Sequence, residues 1–163
     1  MSSLRKILIL SIPVFLIFSG ISLHQGKGFM QSANAAPKTG EVITIYKNEY
    51  CGCCENWAKY IRRAGFKVKV ISVNDLAPVN QQFGIPQKVG ACHTAKLGDY
   101  YIVGHVSVPD ILKLLEEKPD VMGLSVPGMP VGSPGMEIAG MAAQKYNAVL
   151  FTANGETEVF VSH

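Results

Sequence analysis

The sequence predicts an α/β protein: a central mixed sheet with helices on its faces. Three observations carry the prediction. Residues 41–73 run strand, helix, strand. Residues 88–117 run strand, turn, strand, helix. Beyond about residue 121 the composition shifts to glycine, proline and methionine, and a further hairpin pattern closes the chain.

Residues 41–46 alternate and are rich in β-branched side chains, which reads as a strand. Residues 54–64 place Trp57, Tyr60, Ile61 and Ala64 at helical spacing, and Gly65 stands where the helix ends. Residues 66–73 alternate again. Strand, helix and strand within about thirty residues form a βαβ unit, which implies parallel strands. Residues 74–82 suggest a short helix interrupted by Pro78, and Gly84-Ile85-Pro86 marks a turn. Residues 88–95 and 100–106 read as an antiparallel hairpin joined at Leu97-Gly98-Asp99. Ser107 is an N-cap for a helix over 108–117, with Ile111, Leu114 and Leu115 toward the core. The order β-α-β-α-β-β-α is that of thioredoxin. The expected fold is therefore a thioredoxin-like sheet, carrying a C-terminal extension over about 121–163.

That extension opens with a segment, 123–140, whose five glycines and three prolines mark a structured loop rather than a flexible linker. Met129 and Met136 lie within it. Residues 147–152 and 157–161 flank Asn154-Gly155, the signature of a β-hairpin. Trp57 is expected in the core of the first helix. Met122 and Met141 are expected as core residues too, and His163 as a solvated one.

Residues 1–35 read as a secretory signal peptide. Arg5 and Lys6 precede an apolar run over 7–18, and Ala33-Asn34-Ala35 offers small residues for cleavage. The run is about twelve residues, short of the roughly 20 that span a bilayer. An uncleaved anchor is the alternative. The mature domain is then a single unit over 36–163, placed in the periplasm. The formal charge of +3 lies in the leader, because Arg5, Lys6 and Lys27 are its only charged residues. A near-neutral mature chain gives no support for nucleic-acid binding or for membrane association. Monomer is the default state. About 128 residues suffice for a hydrophobic core without disulfide staples, so the cysteines ask for a chemical explanation.

Cys51-Gly52-Cys53-Cys54 falls between the first strand and the first helix, and Cys92-His93 follows about forty residues later. A helix N-terminus carries unpaired N–H groups and partial positive charge, which favours thiolate, most of all at Cys51. Cys51 and Cys54 form the C-x-x-C spacing of disulfide oxidoreductases. Cys53 departs from that pattern. Three sulfurs in one turn fit tetrahedral zinc poorly and match no usual iron–sulfur spacing. Copper(I) is soft and prefers thiolate and thioether. A C-x-C-C cluster, a distant Cys-His pair and a Met-bearing loop together look like a copper(I) site, for one ion or several. His93 and His105 are further candidate ligands, each with a purely local role as its alternative.

Four motifs occur in order: Cys51-Gly52-Cys53-Cys54, Ala91-Cys92-His93-Thr94, Gly104-His105-Val106, and residues 127–137 with Met129 and Met136. In these the chain resembles the CopG-like copper-resistance family, long catalogued as a domain of unknown function, over about residues 41–163. The resemblance implies a periplasmic thioredoxin-like domain that binds copper and serves copper tolerance, with redox interconversion of the metal. It implies thiolate ligands at Cys51, Cys53, Cys54 and Cys92, with Met129 and Met136 closing the site. A copper efflux system or a metallochaperone is the kind of partner such a protein would exchange metal with. One departure is visible: the family often carries Glu where this chain has Val103. In a thioredoxin topology Cys92 would face the C-x-C-C turn across a short gap. Pro86 lies near where such folds often carry a cis-proline.

Two functions from different classes follow. One is an envelope protein holding Cu(I) on the cysteine cluster. The other is a metal-free thiol–disulfide oxidoreductase in which Cys51 attacks and Cys54 resolves. A third joins them, coupling copper reduction to cysteine oxidation.

Overall fold

The computed structural model describes residues 42–163; the expected leader and its cleavage site lie outside them. In chain order the elements are β1 (Val42–Asn48), α1 (Gly52–Arg63), β2 (Lys67–Val73), α2 (Ala77–Gln82), a 3-10 turn (Gln87–Val89), β3 (His93–Leu97), β4 (Tyr100–Val103), α3 (Val108–Glu117), β5 (Gly123–Ser125), β6 (Asn147–Phe151) and β7 (Thr157–Ser162). The strands form one seven-stranded mixed sheet in the order β2-β1-β3-β4-β5-β6-β7. The β1–β2 pair is parallel, as a βαβ crossover requires. The β1–β3 and β3–β4 pairs are antiparallel. This mixed α/β architecture is the fold class that the patterning predicts.

Alternation sets the two faces. In β4, Ile102 and Val103 are both fully buried but point to opposite sides of the sheet. Ile102 joins the larger core, with Ile43, Ile45, Ala95 and Leu97 from the strands, Trp57, Ala58 and Ile61 from α1, and Ile111 and Leu114 from α3. Val103 joins a smaller cluster with Ile85, Val89 and Phe151. Trp57 is therefore a core residue, as expected, and its indole N–H donates to the Val106 carbonyl at 2.9 Å.

Several expectations are corrected. The first helix starts at Gly52, not at residue 54, because Cys51 caps it. Pro78 does not interrupt α2; it occupies the first turn, where a missing N–H costs nothing. The expected strand over 88–95 begins only at His93, since 87–89 form a 3-10 turn. Leu97 belongs to β3, and the hairpin turn is Gly98-Asp99. The second hairpin strand stops at Val103, because Gly104 turns the chain with φ +72°. Residues 123–125, read as loop, form β5 alongside β4. Pro86, whose isomer the sequence leaves undecided, is trans, and no peptide bond among the described residues is cis. Met141 is exposed rather than in the core. His163 is not simply solvated: its Nε2–H donates to the buried Asp110 carboxylate at 2.8 Å, and its ring stacks on Tyr146.

The C-terminal hairpin extends the main sheet through β5–β6 and β6–β7. The loop before it returns beside the segment that leads into β3, where Gly128 bridges Ala91. Among the described residues no helix is long and apolar enough to cross a membrane.

Candidate metal centre

Cys51 stands in extended conformation at the N-cap of α1. Its Sγ accepts the Cys54 N–H at 3.3 Å, and its carbonyl accepts the Glu55 N–H at 3.3 Å. A sulfur thus fills the place that Ser or Asp takes at most N-caps, which puts it at the helix's positive end. Cys51 and Cys54 are joined as a disulfide with Cα atoms 5.3 Å apart. Cys53, one step along the turn, remains a thiol. Its Sγ lies 3.5 Å from Cys51 Sγ and 3.9 Å from Cys92 Sγ.

Cys92 reaches the cluster because of the sheet order. β3 lies directly beside β1, and Lys47 at the end of β1 pairs with His93 at the start of β3. The forty-residue separation in sequence is therefore closed in space. The sulfurs of Cys51, Cys53, Cys54 and Cys92 all lie within 4.8 Å of one another. Cys54 is fully buried and the other three are half-buried. Cys54 Sγ also lies 3.4 Å from the Cys92 carbonyl, a bond its thiol would donate once reduced.

Two imidazoles complete a second donor group with Cys92. His105 Nε2 is 3.0 Å from Cys92 Sγ, and its Nδ1–H donates to the Pro134 carbonyl at 2.8 Å. That outer bond fixes the tautomer and leaves Nε2 as the acceptor facing sulfur. Burial lowers the His105 pKa. His93 is fully buried between Trp57 (ring centroids 4.4 Å) and His105 (5.0 Å). Its Nδ1 lies 3.4 Å from Cys92 Sγ, and its Nε2 has no hydrogen-bond partner among the described residues. Burial, reinforced by neighbouring His105, depresses its pKa to about 3. Burial and the adjacent Cys53 push the Cys92 thiol up to about 12. Without metal the group is neutral: the Cys92 S–H donates to His105 Nε2 and both rings are uncharged. Thiolate and imidazole donors crowded in a half-dry site, one imidazole nitrogen unpaired, suit a soft cation that would replace the sulfur's proton.

The extension covers this region with backbone. Pro134 supplies the carbonyl to His105. Next to it, Gly135 has φ +85°, and a Cβ there would stand 2.8 Å from Trp57 N and 3.2 Å from the Cys53 carbonyl. Only glycine lets the loop lie this close to the first turn of α1. Ser133, fully buried, pins the turn by donating to the Pro130 carbonyl at 2.7 Å. Met136 follows Gly135 and is half-buried, its N–H bonded to the Ser133 carbonyl at 2.8 Å. Met129 is 55% exposed and lines a surface depression with Pro127, Pro130 and Gln144.

Sequence reasoning passed over Lys47. It occupies the inward phase of β1, after Ile43 and Ile45, and is only 2% exposed. Its Nζ donates to the Asn48 and Glu49 carbonyls, each at 3.1 Å, and pairs with Glu55 at 3.0 Å. A charge in an otherwise apolar strand phase, four residues before a cysteine motif, was the available signal.

Set beside known proteins, the chain is similar to two solved structures of the copper resistance protein CopG. Form 2 shares 39% identity and a TM-score of 0.70, with 76% of this chain and 98% of that chain covered. Form 1 shares 39% identity and a TM-score of 0.69, covering 75% and 96%. A family described as a protein of unknown function, DUF411, matches residues 89–136, the stretch that holds Cys92, His93, His105 and both loop methionines. No curated protein matches the chain.

Proposed function

The chain belongs to the CopG-like copper-resistance family, and from that premise we propose that it binds Cu(I) on Cys51, Cys53, Cys54 and Cys92 as part of copper tolerance. One observation carries the reading: four sulfurs from two distant segments lie within 4.8 Å of one another. Soft thiolates at that density favour Cu(I) over harder ions and bridge more than one ion readily. His105 and His93 add nitrogen donors on the Cys92 side. Met136, in the loop that closes on α1, would contribute a thioether; Met129, exposed and lining a depression that holds none of the cysteines, has no such support.

The Cys51–Cys54 disulfide bears on redox interconversion. As thiolates these two residues would give up two electrons, one to each of two Cu(II) ions. The products are the disulfide and two Cu(I) ions, and Cys53, Cys92 and the imidazoles remain as donors. The strand order β2-β1-β3-β4 supports a thioredoxin-like core, and the apolar N-terminal run supports export to the periplasm. In that oxidising compartment bound metal would shield the thiols.

Copper analysis of anaerobically purified, reduced protein, with thiol titration beside it, tests this reading. At least one copper per chain is expected, lost when all four cysteines become serine. Undiminished binding by the serine variant would refute it. A second reading, a thiol–disulfide oxidoreductase, is favoured by the disulfide's place at a helix N-terminus. It predicts strong insulin reduction by metal-free protein, abolished by Cys51→Ser.

A further inference from the structure

Lys47 is among the largest fully buried side chains, in a position where the strand's other inward residues are isoleucines. A buried ammonium is costly unless every proton is matched. Here the three donors meet three acceptors: the Asn48 carbonyl, the Glu49 carbonyl and the Glu55 carboxylate. All three belong to the segment that presents the cysteines. The Asn48 carbonyl also accepts the Cys51 N–H at 3.1 Å, and the Glu55 N–H in turn donates to the Cys51 carbonyl at 3.3 Å. The ammonium therefore ties both sides of Cys51, the turn before it and the first helical turn after it. Its cross-strand partner is His93, directly opposite on the same face of the sheet.

We propose that Lys47 is a positioning residue of the sulfur centre: it clamps the turn that presents Cys51 and supplies a fixed, desolvated positive charge that favours thiolates over disulfide. Glu55 is 45% exposed, so solvent screens it while Lys47 stays unscreened. The local balance of the pair is thus positive toward the protein interior. Four thiolates that hold fewer than four Cu(I) ions carry net negative charge, and a buried cation tied to the segment that presents them offsets that charge. This role deepens the copper reading, but its first test needs no copper.

The test equilibrates metal-free protein, wild type, Lys47→Met, Lys47→Arg and Glu55→Gln, with glutathione buffers. It reads the fraction of the Cys51–Cys54 pair reduced. Removing the cation should shift the equilibrium toward disulfide, on the order of tenfold. Glu55→Gln, which removes the partly compensating anion, should shift it the opposite way, and Lys47→Arg should stay near wild type. A merely structural clamp predicts that Lys47→Met and Glu55→Gln move the equilibrium in the same direction; that result, or no movement in a folded Lys47→Met protein, overturns the assignment. Should Lys47→Met fail to fold, Glu55→Gln decides alone: an unchanged equilibrium, or a shift toward disulfide, sinks the proposal. Cu(I) affinity by chelator competition forms the second arm, with loss expected for Lys47→Met and rescue by Lys47→Arg. If no variant or wild type binds copper, the copper reading fails while the first arm still stands.

Discussion

Cys92 Sγ is met by three polar side chains at once: Cys53 at 3.9 Å, His93 Nδ1 at 3.4 Å and His105 Nε2 at 3.0 Å. Of the two imidazoles, His105 has the shorter contact and the outer carbonyl that orients it. His105→Gln keeps a polar group but removes that oriented nitrogen. It should weaken Cu(I) binding roughly ten- to hundredfold, read by competition with a Cu(I) chelator, while the fold persists. An affinity equal to wild type would exclude His105 as a donor. The depressed histidines also predict how the metal-free protein responds to acid. His93 titrates near 3 when folded, well below its unfolded value of 6.5, and His105 is lowered in the same direction. Between those two values the unfolded chain binds the proton and the folded chain does not. Stability is therefore full above pH 6.5 and falls as pH drops from there toward 3, by roughly 1 kcal/mol per pH unit for His93, with His105 adding in the same direction. Urea titrations at pH 7.5 and 4.5 check this; His93→Phe should flatten the dependence. The sequence exposed the cysteines fully because their spacing is local and rare. It left the histidines ambiguous, because Gly-His and Cys-His pairs look alike whether buried or solvated until the sheet order is known.

At the scale of elements, the site depends on where three segments end: the turn after β1, the start of β3, and the loop that carries Pro134 and Gly135. The first was legible, because β-branched alternation marks β1 and the βαβ spacing brings its far end to a helix; the second was legible as a strand but not in its start, which the pattern sets at residue 88 and the 3-10 turn delays to His93. The third was legible only as a structured loop. Its turn residues signal order, but not which surface the loop covers; that follows from Gly135 fitting against Trp57 N and the Cys53 carbonyl. β5 was missed for a related reason. Gly123, taken as a loop residue, is in a strand whose backbone approaches Tyr101 so closely that no Cβ fits. Three residues are too few for alternation to show. Gly135→Ala tests the loop's role. A methyl there meets backbone rather than a flexible side chain, and φ +85° adds strain. A loss of about 1 to 3 kcal/mol is expected, with the loop lifted from α1. Because the lifted loop takes the Pro134 carbonyl away from His105, Cu(I) affinity should fall as well. Thermal melting and chelator competition on the same protein separate the two effects. A lower melting temperature with unchanged affinity would mean that the loop stabilises the fold without shaping the centre.

For the whole molecule, the centre gathers segments that the chain order keeps apart. Cys51, Cys53 and Cys54 open α1; Cys92 and His93 open β3; His105 follows β4, and its outer carbonyl comes from the extension. A cation bound there would cross-link these segments only in the folded state, because the unfolded chain holds the two cysteine groups about forty residues apart. Binding to the folded state alone raises stability by mass action, about 2.7 kcal/mol at a free ligand concentration 100 times the dissociation constant. For a domain of this size that corresponds to a rise of several degrees in melting temperature. The disulfide form should gain less, since two of the four thiolates are withdrawn. Anaerobic melting of reduced and oxidised protein, each with and without Cu(I) held by a weak chelator, measures the difference. Reduced protein should melt several degrees higher with copper, oxidised protein should move less, and the four-serine variant should not move. Equal shifts in reduced and oxidised protein would place the binding on Cys53, Cys92 and the imidazoles, and would remove Cys51 and Cys54 from the ligand set.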